Sequence, residues 1–364
     1  MTYDLIVIGA GPAGCAAAIT AVKSGAKVLL LERGRFPRQK VCGEFVSAES
    51  LSVLEELLPD DRAMVGSAPR ITASRFFVDR VVLPLKVNPP AASIPRFELD
   101  RVLWESAKIA GVDARDNSVV RSVNEGTSFN VDCDEQQFFG RALINAAGRW
   151  SFLTHPEVRA RASGERWIGV KAHFQETRDS DSVDLYFFDG GYCGVQPVCT
   201  VAGTSEQIVN ACAMVRADVV STMESVLASH PALKARSQGW KPLMEPVSTS
   251  PLVFHDPEPV RGNLFQVGDA ATFVDPFIGD GISLALRSGV LAAECLKGFF
   301  SGEVSLEGAA ASYSRTYLQK LAPVFRASSM VRKFLSFPSV MRKPVMSMLQ
   351  YTPAITSQLV KLTR

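Results

Sequence analysis

Cys42, Gly43 and Glu44 stand side by side in KVCGEFVSAES, residues 40–50: a thiol, a position without a side chain and a carboxylate. Glu44 could give or take a proton during an oxidation or reduction. Gly43 would let backbone approach a bound ring closely. The same residues also admit a plain structural role, with Cys42 a small packing residue and Glu44 capping a helix that begins near Val46. Other reagents are scarce. His155 and His173 read as structural or exposed, and no Ser/His/Asp order stands out. Seven cysteines without a C-x-x-C pair indicate neither a disulfide framework nor a metal site.

The elements that would position this loop lie just upstream, in YDLIVIGAGPAGCAAAITAVKSGAKVLLLER. Leu5 to Ile8 read as a buried strand. Gly9, Gly11 and Gly14 make G-x-G-x-x-G, with Pro12 and Ala13 opening a helix of small residues. A second strand over Lys27–Leu31 leads to Glu32 and Arg33. Gly9 permits the tight turn, Gly11 lets backbone approach a pyrophosphate, and Gly14 lets helix and strand pack closely. The helix N-terminus faces phosphate charge, and Glu32 falls where an acid binds ribose hydroxyls. The pattern predicts a bound dinucleotide without separating FAD from NAD.

Residues 263–294, NLFQVGDAATFVDPFIGDGISLALRSGVLAAE, make that separation. A strand ends in Gly268–Asp269, the chain turns at Pro276, and Gly279, Gly281 and Ile282 lead into a helix. This resembles the second flavin motif of the FAD-dependent hydroxylase and geranylgeranyl reductase superfamily. The resemblance implies non-covalent FAD, with Asp269 near the ribityl chain or a phosphate. It also implies helix N-terminal amides at the flavin ring, where they favour negative charge on a reduced flavin. PRFELDRVL, residues 95–103, resembles the family's R-x-x-F/L-D-x-x-L and places Arg96 near the flavin. ALINAAGRWS, residues 142–151, resembles the return to the FAD domain at Gly148. Many hydroxylases carry Asp-Gly there, which helps NADPH reduce the flavin. Ala147 departs from that, so the reductant is NAD(P)H or a partner reductase.

In the same family the opening loop has a counterpart, P-R-x-K-x-C-G-x-x-x-S, matched by Pro37, Arg38, Lys40, Cys42, Gly43 and Ser47. The resemblance places Cys42 and Gly43 beside the isoalloxazine and Glu44 on the substrate side. GGYCGVQP, residues 190–197, aligns with the substrate wall, where geranylgeranyl reductases carry Y-x-W-x-F-P and tryptophan halogenases W-x-W-x-I-P. Here the positions are Tyr192, Gly194, Gln196 and Pro197. The tryptophans are gone, so halogenation loses its marker. Gly194 widens the pocket and Gln196 offers a polar contact.

The expected fold is α/β: a Rossmann-like FAD-binding domain (1–70, 96–160 and 256–300) interleaved with an α+β substrate domain. The latter spans 71–95 and 161–255 and is built on a mostly antiparallel sheet, because those stretches are rich in β-branched and aromatic residues. A helical, basic C-terminal tail covers 301–364. It has no acidic residue after Glu307 but nine basic ones from Arg315 onward. Such a tail points to an anionic membrane surface or to a lid packed on the body. The net charge of +2 makes no case for nucleic acid, and no apolar run is long enough to span a bilayer. The chain reads as a cytoplasmic protein peripheral to the inner face of the membrane, a monomer or weak oligomer. Its expected reaction is C=C reduction by reduced flavin on a hydrophobic lipid, isoprenoid or polyketide-like molecule. Hydroxylation by a flavin monooxygenase and a non-catalytic electron-carrying flavoprotein are the alternatives.

Overall fold

The structure is a computed structural model that describes residues 2–58, 62–134, 136–149, 153, 166–200, 206–249 and 251–335. Its strands are β1 (Thr2–Ile8), β2 (Val28–Leu31), β3 (Phe45–Val46), β4 (Arg70–Val78), β5 (Val81–Ser93), β6 (Asp113–Arg115), β7 (Val120–Glu125), β8 (Phe129–Cys133), β9 (Gln136–Asn145), β10 (Trp167–Glu176), β11 (Ser182–Phe188), β12 (Gly191–Thr200), β13 (Gln207–Arg216), β14 (Lys241–Pro242), β15 (Val247–Ser248), β16 (Val260–Arg261) and β17 (Leu264–Gln266).

They form two sheets. The first has the order β16-β17-β9-β1-β2-β6, with β8 pairing β9 and β7 pairing β8. Its centre is parallel: β17 with β9, β9 with β1, β1 with β2, β2 with β6. Leu5, Ile6, Val7, Leu29 and Leu30 are fully buried, as expected of parallel strands covered on both faces. One cover is the helix Pro12–Lys23, against which the helix Gly281–Phe300 packs. Small side chains set that spacing. A Cβ at Gly289 would lie 2.2 Å from the Ala13 carbonyl oxygen, so the two N-termini can converge only with glycine there.

The second sheet has the order β14-β10-β13-β12-β11-β4-β5-β3 and is antiparallel except where β11 meets β4. The fold is therefore the mixed α/β architecture expected. Period-two alternation gives this sheet two different faces. Val170, Ala172, Cys193, Val195, Val209 and Ala211 pack in one apolar cluster with Val226 and Leu233 of the helices Met223–Ala228 and Pro231–Arg236. The opposite face, with Leu185, Tyr192, Gly194 and Met214, looks toward the first sheet's glycine turns.

The helix expected near Val46 begins at Ala48 instead. Phe45 and Val46 pair with Ser93 and Ala92 as β3, and this extended pairing delays the helix by two residues. At the far end the helices Leu306–Lys320 and Ala322–Leu335 pack back on the body. Tyr313 is buried and donates to the Gln266 carbonyl at 2.7 Å. Among the described residues no helix is long and apolar enough to cross a membrane. Residues 336–364, most of the basic tail, and His155 lie outside the described residues.

Candidate active site

Between the two sheets lies a cavity of about 1230 Å³. One end is built from backbone. Gly11, Pro12 and Ala13 present the N-terminus of the first helix; Gly279, Gly281 and Ile282 present that of the helix Gly281–Phe300. The glycines divide into two kinds. At Gly9 (φ +100°) a Cβ would meet the Ala146 carbonyl oxygen at 2.4 Å, and at Gly14 it would meet the Gly9 carbonyl oxygen at 1.8 Å. These two pack protein against protein, and Gly14 does not line the cavity. At Gly11, Gly43, Gly148 and Gly281 a Cβ would meet nothing within 4 Å, and all four line the cavity. Side chains are thus absent where the cavity wall is, not only where the fold is tight.

Glu32 stands at the same end. Its Oε2 accepts from the Ala10 amide and its Oε1 from the Gly34 amide, each at 2.9 Å, and Arg38 pairs with Oε1 at 2.5 Å. Burial opposes its charge, but the Arg38 guanidinium and the two amides outweigh burial and hold the carboxyl below the usual range. With three acceptor positions in use, a fourth stays open for a hydroxyl. Arg33 lies exposed at the rim. Arg96 lines the cavity with its guanidinium held bidentate by Asp100, at 2.7 and 2.8 Å. Gly268 (φ +58°), Asp269 and Pro276 also line it, and Asp269 pairs with Arg149 at 3.1 Å. Two helix N-termini, four unfilled glycine positions and a ribose-competent carboxylate fit a dinucleotide such as FAD.

The loop of Cys42, Gly43 and Glu44 forms the wall between this end and the second sheet. Glu44 is fully buried at φ +64°, a left-handed conformation that few residues other than glycine adopt. Its carboxylate accepts from three donors: Lys171 Nζ, His173 Nε2 at 2.9 Å and the Arg96 amide at 2.9 Å. It therefore stands at the start of the helix Arg96–Ile109, not at the helix after Ser47. Burial raises the carboxyl's pKa, and the His173 hydrogen bond and the Lys171 charge together lower it further than burial raises it. The Cys42 thiol accepts from the Glu44 amide at 3.3 Å, and the Cys42 carbonyl accepts from Asn210 at 2.9 Å.

Sequence reasoning named Glu44 and His173 but missed Lys171, whose side chain is fully buried. The signal was available in β10, where Val170, Ala172 and Phe174 are apolar and Gly169, Lys171 and His173 alternate with them. That face reads as solvent until the loop is laid across it.

The other end of the cavity is apolar, with Phe76, Leu83, Leu185, Met214, Phe273 and Phe277 among its walls. Tyr192, Gly194 and Gln196 line it, and Pro197 does not. Gln196 donates its amide to Ser93 at 2.5 Å, so that group is engaged within the protein. Tyr192 is wedged between Phe187 and Phe277, with ring centroids at 5.5 and 5.9 Å. Met330, 72% exposed, reaches the cavity from the helix Ala322–Leu335. Among the described residues no cluster of His, Cys, Asp and Glu could hold a metal ion.

The family model described as FAD dependent oxidoreductase matches residues 4–60. A digeranylgeranylglycerophospholipid reductase of Methanococcoides burtonii is 26% identical, over 90% of this chain and 80% of its own length. A menaquinone reductase of Mycolicibacterium smegmatis is 27% identical, over 80% of this chain and 76% of its own. Among solved structures, a flavin-dependent brominase superposes with a TM-score of 0.77 at 19% identity, covering 100% of this chain and 93% of that one. A geranylgeranyl bacteriochlorophyll reductase-like protein of Thermoplasma acidophilum gives 0.74 at 21% identity, covering 96% and 91%.

Proposed function

We propose that this chain, an FAD-dependent oxidoreductase of the superfamily that holds geranylgeranyl reductases and aromatic hydroxylases, reduces carbon–carbon double bonds of a lipid, isoprenoid or polyketide-like substrate. The observation that carries the reading is the apolar half of the cavity, which adjoins the dinucleotide frame across Cys42 and Gly43. Relatives named as reductases of an isoprenoid lipid and of menaquinone align over 80–90% of the chain and support it.

FAD, bound non-covalently, supplies hydride transfer. The residues of this chain do the rest. Phe76, Leu185, Met214 and Phe277 exclude water and pack an apolar substrate. Gly43 leaves room where a side chain would close the wall, whereas a Cβ at Gly194 would meet Leu185 Cδ2 at 3.2 Å, so Leu185 fills the space that the missing side chain frees. Glu44 is ionised at neutral pH and engaged by three donors, which suits an anchor for the loop better than a proton donor. Cys42, with its thiol accepting from the Glu44 amide, serves as wall. Ala147, in place of the aspartate that helps NADPH in many hydroxylases, favours electron delivery by a partner reductase. The exposed Met330 at the cavity, on the helix Ala322–Leu335 that also carries Lys333 and is followed in sequence by Arg342 and Lys343, would suit substrate entry from an anionic membrane.

The test is anaerobic. Enzyme reduced by light or dithionite is mixed with a polyprenyl lipid, and oxidised-flavin absorbance is followed. It should return with the unsaturated lipid and not with its saturated analogue. No return with any apolar alkene would overturn the reading.

A further inference from the structure

We propose that Arg149 is a further catalytic residue, a guanidinium that receives the oxygen of a carbonyl conjugated to the reducible double bond; this rests on the reduction proposed above. It narrows the substrate class to an apolar α,β-unsaturated carbonyl compound. Arg149 follows the turn at Gly148 and lines the cavity. Its side chain is 17% exposed and meets two other segments. One guanidinium nitrogen donates to Asp269 at 3.1 Å and another to Thr249 at 3.3 Å, while the group lies 4.3 Å from the centre of the Phe273 ring.

These partners locate it along the cavity. Gly268, next to Asp269, packs against the dinucleotide end, where a Cβ on it would lie 3.0 Å from the Ala13 Cβ. Phe273 belongs to the apolar end and clusters with Leu185, Tyr192, Met214 and Phe277. A guanidinium that touches both Asp269 and Phe273 therefore stands at the junction, where a cofactor held by the glycine frame meets a substrate packed in the apolar half.

A cation in that place has a chemical use. An isolated alkene has no atom that readily takes the charge hydride brings. In a conjugated carbonyl compound, hydride from the reduced cofactor bonds to the carbon β to the carbonyl. The π pair moves to the oxygen as an enolate, and the α carbon then takes a proton from water. The saturated carbonyl compound is the product. Positive charge already placed at that oxygen lowers the barrier. The Asp269 carboxylate offsets the cost of holding the guanidinium partly out of water. A planar fork of five donors exceeds what Asp269 and Thr249 take, and the face of Phe273 holds its plane. Two other polar groups of the wall are unsuited, since Glu44 is an ionised acceptor and the Gln196 amide is given to Ser93.

The parent, Arg149→Met and Arg149→Lys, each full-length and FAD-loaded, decide this by two readouts. The first is the preference, as a ratio of kcat/KM, for a long-chain 3-alken-2-one over the alkene of equal length without the carbonyl, with electrons supplied anaerobically. The parent should prefer the enone. Arg149→Met should lose about 10²–10³-fold of that preference, the range for removing one donor to a developing oxyanion. Arg149→Lys should fall between them, since it keeps the charge without the fork. A role confined to holding Asp269 would slow both substrates alike and leave the ratio unchanged. The second readout needs no turnover. A 4-alkylphenol titrated into the oxidised holoprotein mimics the enolate, and the visible spectrum of the cofactor follows its binding and ionisation. It should ionise at a pH about one to three below the free value of about 10, because an adjacent guanidinium favours the anion. Arg149→Met should abolish that change. An unchanged substrate ratio, or phenol ionisation that is the same in the parent and Arg149→Met, overturns the inference. A parent that reduces neither substrate yet shows Arg149-dependent phenolate binding would instead overturn the proposed reaction alone.

Discussion

Replacing Lys171 by methionine should destabilise the protein by about 3 kcal/mol or more, the low end of the range for removing one partner of a buried pair. Lys171 and Glu44 both have fully buried side chains, and the lost ammonium leaves a carboxylate in a low-dielectric interior. His173 and the Arg96 amide remain and limit the loss. The double variant Lys171→Met/Glu44→Gln should recover much of it, because no unpaired charge is left behind. Denaturant unfolding at neutral pH measures both. The sign with acid follows from Glu44. Its folded pKa lies below its unfolded value, so its contribution is present above the unfolded pKa of about 4.3. That contribution is lost as pH falls through the folded pKa. The double variant should lack this share of the acid sensitivity. A Lys171→Met protein as stable as the parent would mean that the cluster does not anchor the loop.

The second large effect separates cofactor contact from packing. Gly11→Val and Gly43→Val add side chains that meet no protein atom within 4 Å of the Cβ, and Gly11 has an ordinary φ of −76°. Both should therefore fold, yet each fills the space in which the cofactor's backbone contacts lie. We expect FAD occupancy to fall at least about tenfold, with the melting temperature of the flavin-free protein little changed. Gly9→Val should lose FAD and stability together. Its Cβ would overlap Ala146 at 2.4 Å, and its φ of +100° strains any side chain. Flavin content and melting curves on the three variants give the answer. Full flavin content in Gly11→Val and Gly43→Val would place the cofactor elsewhere.

The contrast among these residues shows what a sequence carries. The glycine turn, its strands and Glu32 were legible because each depends on neighbours within one βαβ unit. The second motif around Asp269 and Gly281 was legible because it too is one continuous strand–turn–helix. Gly14 illustrates a finer point, since the motif names it while the structure gives it to packing. Gln196 reads from sequence as a polar group of the cavity wall, and it lines the cavity; its hydrogen bond to Ser93 of β5, a pairing across 103 residues, was not legible. The role of Glu44 was the least legible. Its proton-transfer reading came from residue type alone, whereas its partners Lys171 and His173 lie 127 and 129 residues away. Only the laying of the loop across β10 joins them. The boundary near Val46 was missed for a similar reason, since β3 exists only by pairing with β5.

The measurement that bears most directly on the account is the mass of the product formed from a polyprenyl lipid. FAD-loaded enzyme is supplied with electrons, once without oxygen and once with it. Reduction predicts a product heavier by two hydrogens per double bond, formed under strict anaerobiosis at least as fast as in air. A product that has gained an oxygen atom, formed only when oxygen is present, would contradict it and make the chain a hydroxylase.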